Sequence, residues 1–213
     1  MERRDRLMSE SSQARISRGM QILLVIVAVY GLHRRSVGTV INSLVGLVIT
    51  FLPSALERDY EIPMDARLTL WITSAIFLHA VGTLGPYSSV WWWDHVTHTL
   101  SAAVVAGAGY STVRALDIHS DEVEIPPRLT FVFVLVFVVA FGVTWEVLEF
   151  GVEKVGEATC QTLLTQYSLE DTMKDLIFDI VGGVIVGIWG TAYLTDVIGG
   201  ITSLLEDREE KRE

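Results

Sequence analysis

Two histidines and an aspartate open an apolar run in the stretch Trp91-Trp92-Trp93-Asp94-His95-Val96-Thr97-His98, and their spacing can do chemistry. In a helix begun near Trp93, Asp94 and His98 stand at i, i+4 on one face, with His95 about 100° round from Asp94. A carboxylate beside an imidazole can hold a divalent cation or pass a proton. Groups of the same kind recur downstream. Glu146 and Glu149 stand at i, i+3, and Asp171, Asp175 and Asp179 are spaced by four, so each set also shares a face. His79 lies near the end of an earlier apolar run. Imidazoles and carboxylates without a thiol suit a hard or borderline divalent metal such as Zn, Mn, Fe, Mg or Ca, and the residue types do not choose among them.

The elements that must position these groups are membrane helices. Half of the residues are hydrophobic and they gather in long blocks, which is membrane composition. The blocks predict an all-α, polytopic transmembrane helical bundle of about six spans, over residues 20–32, 37–56, 68–84, 92–116, 128–149 and 171–190. A basic segment at 1–18 precedes a transmembrane domain at 19–200, and a charged tail at 201–213 follows it. The first block lacks a small-x-small cleavage site and more spans follow it, so it is expected to be a retained span. Ser168 is the expected cap of the last long helix. Ser101, Ala102, Ala103 and Gly183-x-x-x-Gly187 are expected to let helices approach closely. Ionisable groups are costly inside a bilayer, so Asp94 and His98 need partners or a wet site there.

Lys and Arg fix the expected orientation. With both termini cytoplasmic, twelve fall on the inner side and four on the outer. His79, Asp94, His95, His98, Glu146, Glu149, Asp171, Asp175 and Asp179 then all fall in the outer half of the membrane, on four separate helices. The expected protein is thus a multi-pass protein of the cell membrane with a polar, metal-binding site at the extracytoplasmic ends of its helices. In this reading His79, Asp94, His98, Asp171, Asp175 and Asp179 are metal ligands, and Glu146 and Glu149 are acid/base groups. The reaction class is hydrolysis or transfer at a lipid headgroup, with membrane lipid as partner. A cation- or proton-coupled transporter and a non-catalytic structural subunit are the alternatives.

Each group also has a plainer use. Trp91 to Trp93 suit an interface belt, Asp171 suits a helix N-terminal dipole, and Glu146 and Glu149 suit a solvated helix end. His79 suits a core position, His33 and His119 loops, and Glu153, Glu157 and Glu170 a wet surface. The formal charge of −10 excludes nucleic acid as a natural partner. Lys occurs only at Lys154, Lys174 and Lys211 in this acid-rich chain, which suggests a salt-loving source. The single Cys160 allows no intrachain disulfide.

His79-x-x-Gly82, Asp94-x-x-x-His98, Glu146-x-x-Glu149 and Asp171-Thr172-x-x-Asp175 occur in the order found in the YjdF-like family of multi-pass inner membrane proteins, which the chain resembles from Leu68 to Gly190. It is more distantly similar to VanZ-like membrane proteins. Trp93, His95 and the run Tyr167-Ser168-Leu169-Glu170 depart from the family pattern. The resemblance implies a polytopic membrane protein and no particular activity.

Overall fold

A computed structural model describes residues 9–120, 122–159 and 168–211. Expectations that fall on Cys160, Tyr167, the first eight residues and the last two lie outside the described residues. The chain forms α1 (Glu10–Arg34), α2 (Val37–Ile49), α3 (Leu52–Tyr60), α4 (Ala66–Gly82), α5 (Pro86–Ser89), α6 (Trp93–His119), α7 (Pro127–Thr159), α8 (Leu169–Tyr193) and α9 (Thr195–Glu210). No strand occurs among the described residues.

The helix starts follow from side chains that satisfy first-turn N–H groups. Ser9, Ser36, Asp65 and Ser168 accept from the backbone N–H of Ser12, Thr39, Leu68 and Asp171. Arg35, at φ 56°, turns the chain from α1 into α2. Pro53 sits in the first turn of α3, where its missing N–H costs nothing.

α6 is the central helix, packed against α4, α7, α8 and α9. Its small residues make that possible: Ala102, Ala103 and Ala106 are buried with Tyr110, Val134, Val138 and Val186. α8 meets two neighbours through two glycine faces. A Cβ at Gly182 would lie 2.5 Å from the Thr99 carbonyl oxygen of α6, whereas Gly183 lies against Leu135 and Val138 of α7. The expected packing role of Gly183 and Gly187 is thus seen on the α7 side, where Gly187 meets Phe131.

The outer helices are apolar outward. Ile22 of α1, Val48 of α2 and Val136 and Val147 of α7 are each more than 60% exposed, which suits a lipid solvent.

Among the described residues, three stretches are long and apolar enough to cross a membrane: Glu10–Arg34, Val37–Tyr60 and Pro127–Ala158. The bent pair α8 and α9 makes a fourth if taken as one span. This is fewer than the expected six or so, and the difference has a physical cause. α4 has only 17 residues. α6 carries Asp94, His95, His98, Arg114 and Asp117, and its sheath of other helices replaces the lipid that a more apolar surface would face. Within the charged tail, Glu206 to Glu210 are exposed and close α9 as helix.

Candidate metal centre

Four helix ends meet at one end of the bundle: the last turns of α4, the first of α6, the later half of α7 and the first half of α8. Local bonds fix how they meet. Trp93 Nε1 donates to the Leu78 carbonyl (3.2 Å) and ties the start of α6 to α4. Thr99 Oγ1 donates to the Phe178 carbonyl (3.3 Å) and ties α6 to α8. The absent side chain of Gly182 lets those two backbones close. Asp94 and His98 on α6 then face Asp175 and Asp179 on α8, the latter pair again one helical turn apart.

His98 is held from both sides. Its Nδ1 is 3.2 Å from Asp179 Oδ1, while Nε2 lies 3.6 Å from Asp94 Oδ1 and 3.8 Å from Asp175 Oδ1. Asp179 reaches this position because Gly142 of α7 leaves room: a Cβ there would strike the Asp179 carboxylate. The geometry assigns different work to the two ring nitrogens. A carboxylate that accepts from Nδ1–H fixes the tautomer that presents a bare Nε2, a common arrangement behind metal-binding imidazoles.

One donor atom each from Asp94, His98 and Asp175 lie within 4.8 Å of one another. Tetrahedral ligands at bonds of about 2.1 Å stand about 3.4 Å apart, so separations of 3.6 and 3.8 Å need only small side-chain shifts to close on an ion. Asp175 is 3% exposed and its Oδ1 accepts no hydrogen bond among the described residues. Glu146, 6% exposed, likewise has a buried Oε1 without a donor. A buried carboxylate oxygen left unpaired is expensive, and a cation among Asp94, His98 and Asp175 would relieve the one on Asp175.

The remaining sequence candidates surround this group. Glu146, Glu149 and Asp171 interact electrostatically with one another, and Glu146 and Glu149 also with His98. None of these three belongs to the group of donor atoms within 4.8 Å. Nor does His79, whose Nδ1 lies 2.7 Å from the Tyr87 hydroxyl and whose ring meets Trp145 edge-on at 5.7 Å. His95 stacks on Phe178 at 4.2 Å. His33 and His119 close α1 and α6, His119 pairing with Glu209 at 3.1 Å. Glu157 and Glu170 pair with Lys154 and Lys174 on the surface.

Sequence reasoning missed Tyr87. Burial raises its phenol above the usual value, so it stays an O–H donor, toward His79 or the Thr97 hydroxyl. Its signal was a hydroxyl in the Gly85-Pro86-Tyr87 turn between two histidine-bearing helices. Gly142 was missed as well, because nothing in its own helix marks it.

Residues 16–196 match the family described as "Predicted membrane protein (DUF2238)", a range that contains every residue of this centre. The chain belongs to that family. It is also similar to an uncharacterized protein of Thermotoga maritima, 28% identical over 178 residues that cover 83% of this chain and 88% of that one. No solved structure matches. For this DUF2238 protein, the family adds membrane residence and leaves the chemistry to the geometry.

Proposed function

We propose that the chain is a metal-dependent membrane hydrolase or transferase that acts on lipid headgroups, with a divalent cation held by Asp94, His98 and Asp175. The observation that carries this reading is His98, engaged at Nδ1 by Asp179 and open at Nε2 toward two carboxylates. A bound cation would polarise a phosphoryl oxygen and favour ionisation of water. Glu146 and Glu149, which face the group from α7, would take the proton from that water and return it to the leaving oxygen. Asp171, in the first turn of α8, stands one helical turn before Asp175 and would complete the ion's shell from outside. Asp179 positions His98.

Placement in the cell membrane with six crossings, α1, the α2–α3 pair, α4, α6, α7 and α8, belongs to the same proposal. So do cytoplasmic termini and the closer likeness to the YjdF-like family. Reporters fused at Ser89 and Ser120 should then read outside and inside; the reverse would put the centre at the inner leaflet.

Elemental analysis of the detergent-purified protein tests the cation. A near-stoichiometric ion in the wild type, lost in Asp94→Ala and His98→Ala, is expected. A folded wild type that stays metal-free after dialysis against Zn, Mn and Mg would overturn the reading in favour of proton-coupled transport or a structural polar network.

A further inference from the structure

A cavity lies at the opposite end of the bundle. α9 leaves α8 at 82°, so with α8 upright in a bilayer α9 runs along the membrane surface and the elbow lies at headgroup depth. The elbow holds a cavity of about 630 Å³, closed on its third side by the start of α4. Gly200 lets α9 sit there: a Cβ would come within 3.1 Å of the Ile62 Cα and strike Pro63. Such a volume suits a small-molecule site.

The walls combine aromatic surface with separated opposite charges. Trp71, Trp189 and Tyr193 line it, as do Arg67 and Asp196. Aromatic residues at this depth are where amphiphiles change from polar to apolar. Arg67 donates through Nε to Asp65 at 3.2 Å, and the rest of its fork has no partner among the described residues, so it can still engage a phosphate. Asp196, in the first turn of α9, has no hydrogen-bond or ion-pair partner among the described residues and offers an acceptor.

We propose that this elbow binds a phospholipid whose headgroup carries a hydrogen-bond donor beyond its phosphate, with the phosphate on Arg67, the donor on Asp196 and the glycerol against the aromatic wall. The donor is an ammonium N–H or a hydroxyl. A soluble phosphate would gain nothing from the tryptophans. The site is independent of the cation reading, being made of other residues at the other end of α4 and α8.

The test equilibrates purified protein with mixed vesicles of phosphatidylethanolamine, phosphatidylglycerol and phosphatidylcholine in equal parts, then measures retained lipid by native mass spectrometry. Phosphatidylethanolamine and phosphatidylcholine have the same net charge and differ in the N–H donors. Wild-type protein should retain phosphatidylethanolamine and phosphatidylglycerol about tenfold over phosphatidylcholine, the worth of one charge-assisted hydrogen bond. Asp196→Ala should level the three, and Arg67→Ala should lower all of them about tenfold. Both side chains are exposed, so both variants should keep the wild-type melting temperature, which separates lost binding from lost folding. Equal retention of phosphatidylcholine by the wild type, no retained lipid, or wild-type ratios in either variant would overturn the proposal.

Discussion

Replacing Asp179 with asparagine keeps the side chain's size and an oxygen for the His98 Nδ1 proton, and removes the negative charge behind the imidazole. Asp179 Oδ1 lies 3.2 Å from Nδ1, close enough for a charge-assisted hydrogen bond. Loss of a carboxylate behind a metal-binding histidine typically weakens metal affinity about 10- to 100-fold, or about 1.4–2.7 kcal/mol. Asp179→Asn should fall at the lower end, near tenfold, because an acceptor remains. Asp179→Leu should approach a hundredfold, because neither charge nor acceptor is left. Gly142→Ala changes no charge but drives a methyl group into the space of the Asp179 carboxylate, so it should weaken binding too. Competition of Zn or Mn against a chromophoric chelator reads the affinities, with melting curves to show that each variant is folded. Wild-type affinity in both Asp179 variants, alongside lost binding in Asp94→Ala, would refute the division of work between the two ring nitrogens.

Gly182→Ala should lower stability by about 1–3 kcal/mol, since its Cβ meets the Thr99 oxygen and the Ala103 nitrogen, backbone atoms of a helix that cannot step aside; Gly183→Ala meets side chains at 3.3 and 3.4 Å and should cost less than half as much. Denaturant titration in mixed micelles would check the order, and equal losses would contradict it. Tyr87→Phe removes the 2.7 Å partner of His79 Nδ1 and should cost about 1–3 kcal/mol with metal stoichiometry unchanged, as melting curves and elemental analysis would read. The acid-rich, Lys-poor composition leads us to expect a melting temperature that rises from low to multimolar salt, as repulsion between surface acids is screened; no change would argue against a salt-loving source.

Much of this architecture was legible because the signals are local. Ser168 caps α8 as its sequence context suggests, and the four-residue spacing of Asp175 and Asp179 puts both beside His98. The meeting of α4, α6, α7 and α8 at one end followed from apolar runs that alternate in direction. What was hidden depends on contacts between distant residues. That α6 is sheathed by its neighbours, and so need not be apolar enough to face lipid, is a property of packing that its own residues do not state. Asp175 and Asp179 look alike in sequence, yet one faces Nε2 and the other Nδ1, and Gly142 of a third helix creates the room for the second. His119 pairs with Glu209, far along the chain, where a loop position was expected. The break after Tyr193 that turns α9 aside lies within a run whose composition continues from the span before it.

Anomalous scattering from crystals of the protein grown with Zn or Mn, recorded at the metal's absorption edge, would locate the ion. One strong peak is expected about 2.0–2.2 Å from His98 Nε2 and from oxygens of Asp94 and Asp175, with Nδ1 still on Asp179. A peak elsewhere, or His98 turned so that Nδ1 meets the ion, would contradict it.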